Sequence, residues 1–267
     1  MRAGRLRTVA ATAVVVMVVV LTGLTGCGGG SAGSSGSAGR SGGGSTVTVF
    51  AAASLTESFT RLGRDFEAAN RGTAVVFNFA GSAALAAQIN QGAPADVFAS
   101  AATRNMATVT GAGNAAGDPV VFVRNQLVVA VPKGNPRGVA GLADLSRPGL
   151  KVALCAEQVP CGAAARTALD AASVALTPVT LEQDVRGALA KVRLGEVDAA
   201  LVYRTDALAA TADVTAVEFP ESVRAVNDYP IVVLRDAPHP DGAQAFVAYV
   251  RSERGRAVLT EAGFQAP

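Results

Sequence analysis

The chain has 267 residues, with 23 Lys or Arg against 21 Asp or Glu, one histidine and no tryptophan. Arg2, Arg5 and Arg7 lie in an N-terminal leader, and removing these three of the 23 basic residues leaves 20 against 21 acidic ones. This near-neutral balance argues against a nucleic-acid-binding protein, which would carry a basic patch or stripe. The lack of tryptophan argues against a sugar-stacking site, and a single histidine argues against a metal cluster or a Ser–His hydrolase.

The N-terminus has the pattern of an export signal. The three arginines precede an apolar run over residues 9–21 that is too short and one-sided for a stable membrane span. Leu24-Thr25-Gly26-Cys27 resembles the bacterial lipobox, after which Cys27 carries lipid; the alternative is a cleaved signal with a free Cys27. We predict a signal peptide over residues 1–26 and, because residues 27–45 are almost wholly Gly, Ser and Ala, a flexible tether to the outer face of the cell membrane.

From Thr46 onward, short apolar runs alternate with amphipathic segments. Leu55, Phe59, Leu62 and Phe66 recur at helical spacing and predict a helix over residues 55–70. Strands are predicted at 47–51, 74–79, 96–99, 120–123, 127–131, 151–154, 199–203 and 229–234. Strands that alternate with helices indicate an α/β fold with a parallel sheet covered on both faces. The run at 127–131 is a candidate for a strand that crosses between two lobes.

The first predicted strand leads into its helix through three alanines and Ser54. Ser54 and Glu57 match the S-x-x-E capping box, which predicts that Ser54 caps the helix. A small-residue turn leaves room above a helix N-terminus, where free N–H groups and the helix dipole favour an anion. The Ser54 hydroxyl can therefore cap the helix only, or also donate to a ligand.

Other predicted strand ends and helix starts have the same character. Ser82 begins a helix, Cys161 precedes one, and Val185 lies in the first turn of another, with Asp184 as the expected N-cap. Tyr203 ends a strand, where ligands of open α/β sheets bind. Taken singly, each of these is equally typical of an ordinary cap, a turn or a half-buried tyrosine.

Apart from Cys27, the chain has two cysteines, Cys155 and Cys161. Outside the cytoplasm a remaining pair predicts a disulfide. Two separate buried thiols are the alternative, and the lack of clustered partners argues against a metal site.

Five stretches together resemble one family, the substrate-binding components of bacterial molybdate ABC transporters, which are type II periplasmic binding proteins. They are VTVFAAASLT (47–56), GAPADVF (92–98), VPCG (159–162), EQDVRGAL (182–189) and LVY (201–203). The resemblance implies a two-lobed α/β fold in which each lobe is a mostly parallel sheet flanked by helices. Residues 46–126 plus 223–267 would form lobe 1 and residues 127–222 lobe 2, with hinge closure around the ligand.

The resemblance also implies how a tetrahedral oxyanion is held. Ser54 and Ser82 correspond to the family's serine hydroxyls, Cys161 and Val185 to its backbone N–H donors, and Tyr203 to its phenol. This chain departs from the family at Cys161, where alanine is common, and around Gly81, where the family is richer in serine. The set contains no direct metal-ion ligand, so molybdate would be bound as an oxyanion.

The implied function is capture of molybdate and tungstate, and their delivery to a membrane permease driven by a separate ATPase. The protein would be a lipid-anchored monomer with no cofactor and no enzymatic activity. The alternatives are a binding protein for another oxyanion such as sulphate, a structural lipoprotein, or an enzyme on the same fold. No G-x-S-x-G elbow follows a strand and no phosphate-cradling G-x-x-x-x-G-K-[ST] loop is present, which disfavours the enzyme.

Overall fold

A computed structural model describes residues 45–267. The predicted signal peptide, Cys27 and nearly all of the predicted tether lie outside the described residues; Ser45, the last tether residue, already belongs to the first strand. Within the described part, no helix is both long and apolar enough to cross a membrane.

Strands and helices alternate along most of the described chain. In order they are β1 (Ser45–Ala52), α1 (Thr56–Ala69), β2 (Thr73–Ala80), α2 (Ser82–Asn90), β3 (Val97–Ala99), α3 (Thr103–Gly111), β4 (Val120–Asn125), β5 (Leu127–Pro132), β6 (Val152–Cys155), α4 (Pro160–Ala171), β7 (Thr180–Glu182), α5 (Val185–Arg193), β8 (Ala199–Tyr203), α6 (Arg204–Ala209), β9 (Val214–Val217), β10 (Asn227–Val233), α7 (Pro240–Arg251) and α8 (Glu253–Glu261). Short 3₁₀ segments cover Ala53–Leu55, Leu142–Ser146 and Pro220–Arg224.

The strands form two five-stranded sheets. The first has the order β2-β1-β3-β10-β4, and the second the order β7-β6-β8-β5-β9. In the first sheet β1 runs parallel to β2 and β3, whereas β10 runs antiparallel to β3 and β4. The second sheet repeats this mixture, since β6 is parallel to β7 and β8 while β5 is antiparallel to β8 and β9. The two-lobed α/β fold is thus confirmed, with sheets that are mixed.

Each sheet has its own apolar core. Phe59, Leu62 and Phe66 of α1 are buried, as their spacing predicts, against one face of the first sheet together with Phe246 of α7. Phe50 points to the opposite face, because neighbouring strand residues alternate, and packs there with α2 and α3. A separate buried cluster surrounds the second sheet.

The chain passes from the first sheet to the second at Gln126, between β4 and β5, and returns before β10. Asn125 Nδ2 donates to Thr205 Oγ1 at 2.8 Å, and the Arg204 N–H donates to the Gln126 carbonyl at 2.9 Å. We infer that these sheets and their helices are the two predicted lobes, called lobe 1 (46–126 plus 223–267) and lobe 2 (127–222) from here on.

Candidate anion-binding site

One small cavity between the sheets is lined by strand ends and helix starts from both lobes. All five residues predicted for the site line it: Ser54, Ser82, Cys161, Val185 and Tyr203. The other lining residues are Ala52, Ala53, Gly81, Ala101, Val159, Pro160 and Asp184. The free volume of this space is only about 10 Å³. The cavity is therefore suited to a compact ligand of few atoms, and a sugar or a peptide is far too large for it.

Ser54 reaches this cavity, but the predicted capping box is wrong. Ser54 lies inside the 3₁₀ turn Ala53–Leu55, and α1 begins only at Thr56, with Leu55 as an N-cap whose side chain makes no capping bond. The 3₁₀ turn thus moves Ser54 away from the capping position. The Ser54 Oγ instead lies 2.8 Å from the hydroxyl of Tyr229, and Glu57 forms an ion pair with Arg186.

Ser82 is the first residue of α2, as predicted, and is 1% exposed. Its Oγ accepts a hydrogen bond from the Ala101 N–H at 3.0 Å. A hydroxyl that accepts in this way still has its own proton to donate. Ser82 can therefore serve both its own lobe and a ligand in the cavity.

Cys161 is the second residue of α4. The N–H groups of Gly162 and Ala163 both donate to the Val159 carbonyl, at 3.1 Å each, and Pro160 has no N–H. The Cys161 N–H is thus the donor that the first turn of α4 can offer to the cavity. The structure joins Cys161 to Cys155 in a disulfide, which ties the start of α4 to the end of β6.

Val185 begins α5, and Asp184 is its N-cap as predicted. Asp184 Oδ1 accepts from the Gly187 N–H at 2.9 Å. This bond satisfies one N–H of the first turn and leaves the Val185 N–H without an intrahelical acceptor. The capping bond also commits that oxygen of the one carboxylate that lines the cavity.

Tyr203 is the last residue of β8 and is 1% exposed. Within residues 45–267 its hydroxyl has no hydrogen-bond partner. Burial raises the pKa of this phenol well above its ordinary value, with the nearby Tyr229 and Asp206 adding to the effect. The group therefore remains a neutral O–H donor, and it is an unsatisfied one.

The cavity gathers positive potential without a cationic side chain. Within the described chain, none of its lining residues is Lys or Arg. The N-termini of α2, α4 and α5 and the 3₁₀ turn at Ala53–Leu55 all border it. Helix N-termini carry partial positive charge and unpaired N–H groups. Neutral donors from four such termini, with the Tyr203 phenol, suit this cavity to an anion.

The two lobes touch on either side of the cavity. The backbone at Gly81 lies so close to the Gln183 carbonyl that an added Cβ would overlap the oxygen. Arg104 of α3 donates to the carbonyls of Glu157 and Val159, and Arg186 pairs with Glu57. These contacts join lobe 1 to lobe 2, so the structure is a closed form of the cleft. No local sequence pattern predicts them, because each joins distant segments.

A buried carboxylate, Asp206 of α6, lies next to the site and was not predicted to be buried. It is 3% exposed, and its Oδ2 accepts from the Tyr203 N–H at 3.2 Å. Burial raises the pKa of Asp206 to about 8, and the negative charge of Glu57 adds to this rise. The Tyr203 N–H and Arg186 act in the opposite direction. Near neutral pH the folded protein therefore holds Asp206 largely protonated.

This shift makes the stability of the protein depend on pH. Because the folded pKa lies above the unfolded one, the contribution of Asp206 is complete below about pH 4. It is lost as the pH rises through a folded pKa of about 8. Asp206→Asn keeps an oxygen for the Tyr203 N–H and removes the ionisation. We expect its melting temperature, relative to wild type, to rise steadily between pH 5 and pH 8.

Thermal unfolding of both proteins at several pH values measures this difference. Asp236→Asn is the control, because its carboxylate is 85% exposed and it should keep the wild-type slope. An Asp206→Asn variant with the same slope as wild type would show that Asp206 is already ionised in the folded state at pH 5.

Comparisons with known proteins identify relatives of this chain. The family model described as bacterial extracellular solute-binding protein matches residues 47–265. The molybdate-binding protein ModA of Mycobacterium tuberculosis (strain ATCC 25618 / H37Rv) is 47% identical over 225 residues, which cover 84% of this chain and 86% of that protein.

Solved structures show the same fold. The periplasmic molybdate-binding protein of Azotobacter vinelandii has a TM-score of 0.72 at 21% identity, over 83% of this chain and 99% of that one. The sulfate-binding protein SubI of Mycobacterium tuberculosis H37Rv has a TM-score of 0.71 at 20% identity, over 83% and 87%. These two likenesses concern the fold alone. The sequence matches confirm the resemblance predicted above, and the chain belongs to the bacterial extracellular solute-binding proteins.

Proposed function

We propose that the protein captures molybdate, and tungstate with it, for delivery to an ABC transporter. The observation that carries this proposal is the meeting of the five predicted donors, Ser54, Ser82, Cys161, Val185 and Tyr203, on one cavity that no Lys or Arg of the described chain lines. The relative from Mycobacterium tuberculosis, which is 47% identical and named a molybdate-binding protein, supports the same ligand.

The donor set favours a fully ionised oxyanion. A dianion can be held without counter-charges when several hydrogen bonds and helix N-termini point at it. Ligands that carry a proton need an acceptor aimed at them, and the one lining carboxylate, Asp184, directs its Oδ1 to the Gly187 N–H of its own helix. Phosphate is partly protonated near neutral pH and should therefore bind poorly.

Size separates the remaining tetrahedral anions. Sulphate carries no proton but is smaller than molybdate, so its oxygens cannot reach every donor at once. Each buried donor left unmet costs about 1–3 kcal/mol. Tungstate is nearly the size of molybdate and should bind almost as well.

The protein is exported and held at the outer face of the membrane by lipid on Cys27. It works as a monomer, and its lobes close around the ligand by a hinge near Gln126. The loaded form docks on a permease that a separate ATPase drives. Molybdate is cargo in this scheme, so the protein needs no cofactor and performs no chemical step.

Ligand-induced stabilisation tests the proposal directly. The chain without its leader is unfolded by heat in the presence of molybdate, tungstate, sulphate or phosphate. A ligand at about 100 times its dissociation constant adds about 2.7 kcal/mol to the free energy of unfolding. We expect molybdate and tungstate to give this shift and phosphate to give none.

Other outcomes would contradict specific parts of the proposal. A shift with sulphate and none with molybdate would retain the anion site and overturn its specificity. No shift with any of the four anions would favour a structural lipoprotein, and turnover of a substrate would favour an enzyme.

A further inference from the structure

Tyr229, a residue that the sequence did not mark, is the partner of the Ser54 hydroxyl. It lies on β10, is fully buried, and its hydroxyl is 2.8 Å from Ser54 Oγ. Its ring packs edge-on against Tyr203 at 5.9 Å and against Phe264 at 5.5 Å between centroids. The rings hold the Tyr229 hydroxyl in place beside Ser54, and Tyr229 itself does not line the cavity.

The direction of this hydrogen bond follows from the available partners. Either oxygen could donate. Ser54 is the main side-chain hydrogen-bond partner of Tyr229, ahead of the nearby Asn125 and Tyr203. A buried phenol places its proton on an acceptor, and we infer that Tyr229 donates to Ser54. Burial also raises the pKa of Tyr229 far above its ordinary value, so the proton stays on the phenol at any pH the protein meets.

The same arrangement occurs at the second serine. Ser82 Oγ accepts from the Ala101 N–H at 3.0 Å, just as Ser54 Oγ accepts from Tyr229. Each serine oxygen therefore uses one of its two lone pairs for a donor from within lobe 1. A hydroxyl has one proton, and it cannot point toward the group that donates to it. The protons of both serines are directed elsewhere, and both residues line the cavity.

We propose that Tyr229 is a positioning residue that makes Ser54 a fixed donor to the ligand and thereby selects for oxyanions that carry no proton. This inference rests on the proposed function, and it explains how Ser54 contributes to the selectivity of the site for unprotonated oxyanions. Without the Tyr229 hydroxyl, the Ser54 O–H can rotate toward the lobe interior. Ser54 Oγ can then accept a hydrogen bond from a protonated ligand.

A double-mutant cycle tests whether Tyr229 acts through Ser54. Molybdate affinity is measured by calorimetry for wild type, Tyr229→Phe, Ser54→Ala and the double variant. Phenylalanine keeps the ring that contacts Tyr203 and Phe264. We expect Tyr229→Phe to weaken molybdate binding about three- to tenfold. In the Ser54→Ala background the same change should have almost no further effect.

The outcomes separate this inference from the proposed function. Wild type that binds no oxyanion overturns both. If wild type binds sulphate and not molybdate, the double-mutant cycle is measured with sulphate. Binding by wild type together with independent, additive losses in the cycle overturns only the role of Tyr229, because a merely structural residue would weaken both backgrounds alike.

Competition between phosphate and molybdate is a second test, and its wild-type part does not depend on whether the variant folds. At pH 6, where inorganic phosphate carries protons, phosphate should fail to compete with molybdate for wild type. Phosphate should compete better with Tyr229→Phe than with wild type. Effective competition by phosphate for wild type would overturn the proposal even if Tyr229→Phe did not fold. Tyr249→Phe is the control, because the Tyr249 hydroxyl on α7 is also buried but does not line the cavity.

Discussion

Replacing Gly81 by alanine should abolish tight ligand capture while both lobes stay folded. Gly81 precedes α2 with φ −59° and ψ 134°, a backbone conformation that alanine adopts without strain. The added Cβ would overlap the carbonyl oxygen of Gln183 and come within 3.6 Å of Asp184 Cβ. Gln183 and Asp184 lead into α5 of lobe 2. The clash is therefore between the lobes and leaves the interior of each lobe unchanged.

The effect on affinity should be large because closure brings the two donor groups together. Ser54 and Ser82 belong to lobe 1, whereas Cys161, Val185 and Tyr203 belong to lobe 2. Relieving the overlap requires the lobes to separate by about 1 Å, beyond the reach of good hydrogen bonds. Losing two bonds to a charged ligand, at about 1.5–3 kcal/mol each, weakens binding at least about 100-fold.

Calorimetry with molybdate measures the loss, and thermal unfolding without ligand should give the wild-type melting temperature. Gly111→Ala is the matched control, because Gly111 ends α3 with nothing within 4 Å of an added Cβ. It should bind molybdate as wild type does. Wild-type affinity in Gly81→Ala would mean that the ligand is bound in a more open form than the one described here.

The sequence predicted the parts of the site that depend on local pattern. Helix starts at Ser82 and Val185 follow from cap residues and helical spacing, and Tyr203 follows from the end of an apolar run. In the first sheet the parallel strands β1 and β2 lead to Ser54 and Ser82. In the second the parallel strands β6, β7 and β8 lead to Cys161, Val185 and Tyr203. The carboxyl ends of these strands thus bring the predicted residues to one cleft. The structure places all five around one cavity, although their binding roles stay predictions.

Features that depend on distant partners could not be predicted. Ser54 and Tyr229 are 175 residues apart, and nothing near Ser54 shows that a phenol will approach it. The capping-box prediction failed because Ser54 lies in a 3₁₀ turn and because its hydroxyl pairs with the distant Tyr229. Asp206 follows the polar residues Arg204 and Thr205 in a short helix, yet the tertiary structure buries it.

Short strands were missed for a different reason. β7 (Thr180–Glu182) has three residues and β9 (Val214–Val217) has four, and neither carries the continuous apolar run of a central strand. Both lie at the edges of the second sheet. Edge strands are half-solvated, so their residues show little hydrophobic signal. The neighbouring sheet, more than their own sequence, sets their conformation.

Replacing Tyr203 by phenylalanine should change stability and affinity in opposite directions. The Tyr203 hydroxyl is buried and has no hydrogen-bond partner within residues 45–267. Removing an unsatisfied buried group is neutral or stabilising for the ligand-free protein. The same hydroxyl is a proposed donor to the oxyanion. A hydrogen bond to a charged group contributes about 1.5–3 kcal/mol, so molybdate should bind about 10- to 150-fold more weakly.

Two measurements on the same samples show whether stability and molybdate affinity change in opposite directions. Thermal unfolding without ligand should give a melting temperature equal to or above that of wild type, and calorimetry should give the reduced affinity. Tyr249→Phe serves as control, because it also removes a buried hydroxyl without a partner, but one that does not line the cavity. Its stability should change as in Tyr203→Phe, and its affinity should not change.

The opposite signs distinguish a ligand donor from a structural tyrosine. If the Tyr203 hydroxyl mainly stabilised the fold, phenylalanine would lower the melting temperature, and affinity would fall only through the damaged lobe. If the hydroxyl had neither role, the affinity would stay at the wild-type value, as expected for the Tyr249→Phe control. A gain or no change in stability, together with a loss of affinity, arises only when the free protein holds a donor unsatisfied and the ligand satisfies it. That combination would establish Tyr203 as part of the oxyanion site.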